Sequence, residues 1–235
     1  MRRVLRWESL EIVVVDNGSK DGSADLLAKI DAAGGCRLMA NAGNAMHGPA
    51  LTQAMSFLAS GRTGLPRWVW VLDSDVVISR PDALEKAMER AAETDAAVVG
   101  ESWRDDEHDM DRFLAYSLLI DPARVWRDGI EPFADGGDPA FGLLESAKAL
   151  GETLSEFPFA RDGYVIHRGR SSLFTVWASD DTTHPDHWWA RDHHEPHFAL
   201  VEGAAARHDD LLRAFRADVG PLDDPEAVDA LTSPA

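Results

Sequence analysis

Glu11-Ile12-Val13-Val14-Val15-Asp16-Asn17-Gly18-Ser19-Lys20-Asp21-Gly22-Ser23 is the stretch on which the fold turns. Its first half is an apolar, β-branched run. Its second half is dense in Asp, Asn, Gly and Ser. That change predicts a strand ending directly in a turn. Working outward, Ser23 caps a helix with Leu26, Leu27 and Ile30 on one face, and Gly34 ends it. Residues 36–40 read as a short strand. Pro49 opens a second helix carrying Leu51, Ala54, Met55 and Leu58, closed by Gly61. Residues 62–67 form a loop, and residues 68–72 a buried strand that ends at Asp73-Ser74-Asp75. Pro81 suits the first turn of a helix whose Leu84, Ala87, Met88 and Ala91 recur at helical spacing. Residues 96–99 are another strand. The alternation predicts an α/β fold, a mostly parallel sheet with helices on its faces.

The second half is less regular. Residues 113–120 read as a strand and 125–133 as a connection. Residues 139–150 predict a helix with Leu143, Leu144, Ala147 and Leu150 on one side, stopped by Gly151. Residues 164–167 are a short strand. Residues 178–198 are rich in Trp, His and Asp. From about Asp218 the chain is acidic and contains Pro, the composition of a mobile tail.

Composition narrows the function. The 235 residues carry 41 Asp and Glu against 23 Lys and Arg, a net charge of −18. A duplex-binding surface is basic because phosphate neutralisation supplies most of its affinity, so nucleic acid and anionic membrane are excluded as bulk partners. A phosphorylated small molecule fits only with a divalent cation between it and the carboxylates. The longest apolar runs span about four residues, far short of a bilayer-crossing helix. Met1-Arg2-Arg3 is not followed by the apolar core of a signal peptide, which predicts a cytoplasmic protein. The lone Cys36 excludes an internal disulfide and a cysteine-rich zinc site.

The chemistry-bearing residues gather at strand ends. In an open α/β sheet, ligands bind beyond the carboxyl ends of the strands. Asp16 and the Asp73/Asp75 pair both occupy such ends, so they can face one ligand. Asp-x-Asp in a turn lets two carboxylates converge on one cation, and Mg²⁺ or Mn²⁺ takes such hard oxygen ligands together with water and phosphate oxygens.

Three segments, in order, resemble family 2 glycosyltransferases of the GT-A fold. Residues 11–23 resemble that family's second strand and turn. Asn41-Ala42-Gly43-Asn44-Ala45-Met46-His47-Gly48 resembles its Asn-x-Gly loop and helix start. Trp70-Val71-Leu72-Asp73-Ser74-Asp75-Val76 resembles its metal-binding strand end. The match covers about residues 11–100, with a looser continuation to about 175. The resemblance implies a nucleotide-diphospho-sugar transferase with a Rossmann-like sheet. It divides the chain into a nucleotide-sugar-binding half (1–110), an acceptor-side half (111–215) and the tail (216–235). It implies that Asp16, with Asn17, Ser19, Asn41 and Ser74, lies on the nucleotide-sugar side. Asp73 would sit near the ribose or a metal-bound water, and Asp75 would bind the metal directly. His167, in Tyr164-Val165-Ile166-His167-Arg168-Gly169-Arg170-Ser171-Ser172, resembles a histidine that completes the metal shell or contacts the diphosphate. Arg168 and Arg170 are placed to pair with phosphate.

Such an enzyme also needs a general base on the acceptor side. Asp138, directly ahead of the 139–150 helix, is the first candidate and Asp135 the second. The acceptor is a small molecule, glycan or peptide bearing a hydroxyl, and a homo-oligomer is compatible with the sequence. The family normally begins with a further strand and helix. Here residues 2–10 read as the end of that first helix, so the sheet is expected to be truncated at its start or completed by a partner chain. Two rival readings stay open. One is a non-catalytic GT-A relic that binds a nucleotide or a protein. The other is a zinc-dependent hydrolase using His184, His187, His193, His194 and His197, a cluster that with Trp188 and Trp189 also suits a sugar-binding lid.

Overall fold

The computed structural model describes residues 10–20, 22–61, 64–104, 109–134 and 138–167, together with Asp210 and Arg213. Strand β1 (Val13–Asp16) runs parallel to β2 (Arg37–Ala40), with helix α1 (Ser23–Ala32) crossing between them. Val13, Val14 and Val15 are half-buried, and β1 has β2 as its one strand neighbour among the described residues. A second sheet has four strands in the order β3 (Val69–Leu72), β6 (Asp109–Ile120), β5 (Val98–Arg104) and β7 (Leu154–Glu156). β6 is antiparallel to both β3 and β5, and β7 is parallel to β5. Three of the four strands therefore share one direction, as the sequence led us to expect. Because the exception lies between two of them, the pairings around it are antiparallel. A third, two-stranded piece joins β4 (Val76–Ile78) to β8 (Val165–His167).

Helices pack on both faces of the four-stranded sheet. On one face α2 (His47–Ser60) and α5 (Phe141–Ala149) bury Met55, Leu143, Leu144 and Ala147 against Val71, Val98, Leu118 and Ile120. On the other, α3 (Ala83–Thr94) packs Leu84, Ala87 and Ala91 on Val99, Tyr116 and Leu119. Leu143 and Leu144 are fully buried, each contributing about 2 kcal/mol of hydrophobic stabilisation. A short helix α4 (Pro122–Val125) is capped by Asp121, whose carboxylate accepts the Ala123 N–H.

Several local expectations are corrected. Ser23 does not cap α1: Gly22, in the left-handed region at φ 91°, holds the N-cap position without a side-chain bond. α5 starts at Phe141 rather than at residue 139, and Leu150 is exposed, because the helix ends one residue before it. α2 begins two residues ahead of Pro49, and α3 two residues after Pro81. The three-residue strands β4 and β7 carry too little periodicity to be read in advance. Residues 1–9, the His/Trp-rich segment of 178–198 and the acidic tail lie outside the described residues.

Candidate active site at the β3–β4 turn

Strand β3 stops at Leu72, and the chain reverses through Asp73-Ser74-Asp75 into β4. The Val76 N–H closes the turn on the Asp73 carbonyl at 3.2 Å. Antiparallel register then pairs Val76 with His167 at the end of β8, which brings the imidazole beside Asp75. His167 Nε2 lies 3.2 Å from Asp75 Oδ1 and 3.8 Å from Asp73 Oδ2. One oxygen from each carboxylate and one imidazole nitrogen lie within 4.8 Å of one another. A set of two carboxylates and one nitrogen suits a hard to borderline divalent ion such as Mg²⁺ or Mn²⁺. The residues present therefore fit the ion that the sequence reading implies. Ser74 is exposed on the same turn.

His47 is a neighbour of this cluster that sequence reasoning did not single out. It opens α2, and its Nε2 lies 3.1 Å from Asp73 Oδ1, so Asp73 has an imidazole on each side. The available signal was its place in the Asn41–Gly48 segment, directly before the helix. Preceding it, Met46 is held at φ 68° and ψ 170°, a backbone region that residues other than glycine rarely adopt. Asn17 Nδ2 donates to the Met46 carbonyl at 3.2 Å, and the Met46 N–H donates to Asn44 Oδ1 at 2.8 Å. Asn41 Nδ2 in turn donates to Asn17 Oδ1 at 2.9 Å and to Gln53 Oε1 at 3.0 Å.

The β1 and β3 strand ends are thus linked through side chains. The chain of contacts runs from Asn41 and Asn17 to Met46, then through His47 to Asp73. Asp16 itself is buried, and its carboxylate closes its own turn by accepting the Ser19 hydroxyl at 2.5 Å and the Ser19 N–H at 3.3 Å. Gly18, at φ 82°, permits that turn. Its missing side chain lets the Gly43 Cα come within 3.0 Å of where a Cβ would stand.

Beneath the metal-type cluster lies a second polar group. The Tyr116 ring stacks on His167 with centroids 4.4 Å apart and planes 9° from parallel. Its hydroxyl donates to Glu101. Burial first, then the Glu101 carboxylate, push the phenol far above its ordinary pKa, so it remains a donor. Glu101 also accepts the Ala160 N–H at 2.6 Å, the Arg161 N–H at 3.1 Å and Arg161 Nε at 2.8 Å. Burial opposes the charge of Arg161, but the bond to Glu101 and the nearby Glu156 outweigh it and raise its pKa.

At the other candidate position, Asp138 precedes α5, and its Oδ1 accepts the Ala140 N–H at 2.9 Å. The chain before it is pinned to α2. Thr52 Oγ1 donates to the Phe133 carbonyl at 2.8 Å, and Gly48 leaves room for the Ala134 backbone where a Cβ would clash at 2.3 Å. Asp135, Arg168, Arg170, Trp188, Trp189 and the histidines from 184 to 197 lie outside the described residues.

Residues 2–134 match the family model described as Glycosyl transferase family 2. The chain belongs to this family. That membership makes it a glycosyltransferase, built here on an α/β scaffold. Among solved structures the chain is similar to the mannosyltransferase PcManGT from Pyrobaculum calidifontis, solved in complex with GDP-Man and Mn²⁺. The two share 19% identity at a TM-score of 0.49, over 95% of this chain and 75% of that one. No curated protein matches the chain. Among the described residues, no helix of this family 2 chain is long and apolar enough to cross a membrane.

Proposed function

We propose that the chain is a metal-dependent, inverting GT-A enzyme that moves a sugar from a nucleotide-diphospho-sugar to a hydroxyl-bearing acceptor. The observation that carries this reading is the convergence of Asp73, Asp75 and His167 at the end of β3 in a family 2 chain. Asp75 and His167, with Asp73 behind or beside them, would hold Mg²⁺ or Mn²⁺. When bound, that ion supplies positive charge for the donor's diphosphate and for the leaving group as its bond breaks. The need is plain in a chain of net charge −18, which otherwise repels a diphosphate.

The other roles follow from position. Asp16, Asn17 and Ser19 at the end of β1, Asn41 directly after β2 and Ser74 in the turn after β3 line the donor side. Asp138 or Asp135 acts as general base on the acceptor side. The base takes the proton from the acceptor hydroxyl. The acceptor oxygen forms its bond to the anomeric carbon from the face opposite the diphosphate, the anomeric bond to the diphosphate breaks, and configuration inverts. The bond from Ala140 N–H to Asp138 fixes that carboxylate at the head of α5. Residues 1–110 would then serve donor binding and 111–215 acceptor binding.

The test is release of nucleoside diphosphate from a panel of UDP-, GDP- and dTDP-sugars with Mn²⁺ and simple sugar, glycan and peptide acceptors. Turnover of one donor, lost in Asp75→Ala and reduced at least about a hundredfold in either Asp138→Asn or Asp135→Asn, is expected. Donor binding with no turnover on any acceptor favours the non-catalytic alternative instead.

A further inference from the structure

We infer that Tyr116 is a positioning residue for the metal-type cluster, its ring acting as the platform that fixes the His167 imidazole. The inference rests on the proposed role of Asp75 and His167 in holding a divalent ion, and it adds residues that neither the sequence pattern nor family membership assigns.

Three contacts of one residue carry it. The ring lies flat against His167, with centroids 4.4 Å apart and planes 9° from parallel. The carbonyl oxygen of Tyr116 accepts the Asp73 N–H at 3.0 Å, at the first residue of the acidic turn. The hydroxyl is held by buried Glu101. Tyr116 therefore touches both arms of the cluster, the turn after β3 and the end of β8, and is itself anchored from below.

The strand geometry explains how it is aimed. Gly100 pairs with Leu118 but Ser102 pairs with Phe113, so β6 has extra residues at this point, and Tyr116 lies among them. Such irregularities re-aim a side chain that regular alternation would point elsewhere. Glu101 sits on the opposing strand at the same interruption. Its four donors come from Tyr116 and from residues 160 and 161, in the segment that leads into β8. One buried carboxylate thus locks both the platform and the approach of the strand that carries His167. Partners that orient a ligating histidine, without touching the ion, typically change metal affinity by 10–100-fold.

The experiment is Mn²⁺ binding to the full chain, followed by electron paramagnetic resonance of the free ion. Wild type, Asp75→Ala, Tyr116→Leu, Tyr116→Phe and Leu144→Ala are compared. Leu144, on the buried face of α5, belongs to the core on the opposite face of the sheet from Tyr116 and controls for general destabilisation. The expected result is binding by wild type, none by Asp75→Ala, and at least about tenfold weaker binding by Tyr116→Leu. Tyr116→Phe, which keeps the ring, stays within about threefold of wild type, and Leu144→Ala is unchanged in affinity.

Wild type that binds no Mn²⁺ overturns the metal reading and this inference together. Binding by Tyr116→Leu as tight as wild type, an equal loss in Leu144→Ala, or a loss in Tyr116→Phe as large as in Tyr116→Leu, overturns the inference alone. Nuclear magnetic resonance of the wild-type chain keeps the claim exposed even if Tyr116→Leu does not fold. The His167 ring protons, assigned through His167→Gln, are expected upfield from the stacked ring, with and without Mg²⁺. Unshifted signals contradict the stack.

Discussion

Asp73 separates structural from chemical contributions at the level of single residues. It has His47 on one side and His167 on the other, yet the two contacts differ in kind. His47 is 44% exposed, and exposed ion pairs contribute about 0–1 kcal/mol. His47→Ala is therefore expected to weaken Mn²⁺ binding by less than about fivefold in a calorimetric titration. Asp75, 16% exposed and beside His167, has no comparable substitute, so Asp75→Ala is expected to abolish binding in the same titration. Gly18 marks the opposite case, a residue whose side chain must be absent. Gly18→Ala places a Cβ at φ 82° and 3.0 Å from Gly43 Cα. The expected loss is about 1–2 kcal/mol in urea denaturation, from the left-handed backbone alone.

Legibility at this scale followed chemistry more than geometry. Asp73 and Asp75 stood out because an apolar strand ended in them. His167 stood out only through resemblance, and the Val76–His167 register places it beside Asp75. Tyr116 and Glu101 were hidden. Tyr116 lies in an apolar strand where a regular pleat predicts ordinary core, Glu101 reads as an ordinary strand-surface carboxylate, and it is at the register shift between β5 and β6 that the two meet, with the Tyr116 ring against His167. Asp16 shows the reverse: its position at a strand end was right, but its carboxylate is engaged by Ser19, two positions beyond the Asn17 that reaches toward the second strand end.

Among the elements, α2 does more than cover the sheet. Its N-terminal turn carries His47 toward Asp73 and receives the Ala134 backbone on Gly48, while Thr52 holds the Phe133 carbonyl one turn later. The helix thus joins the turn after β3 to the Phe133–Ala134 segment that precedes α5. Gly48→Ala brings a Cβ to 2.3 Å from the Ala134 carbonyl carbon, so the backbone must move. It is expected to cost about 1–3 kcal/mol by thermal or urea unfolding, and to lower turnover with Mn²⁺ affinity nearly unchanged. Equal turnover in the variant contradicts the joining role. The helices themselves were readable from apolar spacing, with errors of two residues at their starts. Those errors fall at the prolines: α2 begins two residues before Pro49, α3 two residues after Pro81 and α5 two residues after Pro139.

For the whole molecule, charge sets the terms. A net charge of −18 opposes any diphosphate, and the three-residue cluster is where a cation can reverse that locally. Removing divalent ions with EDTA is therefore expected to eliminate nucleotide-sugar binding, and Mn²⁺ to restore it, with little change in the unfolding midpoint of the free chain. The strands form separate pieces among the described residues, and the ends of β1 and β3 are connected by Asn17, Met46 and His47 at the start of α2 rather than through a ladder. Sequence alternation revealed the α/β class but not this division, because periodicity reports which face of a strand is buried and not which strand lies beside it. The central claim is that the β3 end, with Asp75 as its key ligand, makes a nucleotide sugar acceptable to an acidic protein. Its most direct test is a calorimetric titration of UDP-, GDP- and dTDP-sugars into the chain with and without Mn²⁺, repeated in Asp75→Ala. The account predicts that one donor binds only with Mn²⁺ and not at all to the variant; binding that ignores both the ion and the substitution would contradict it.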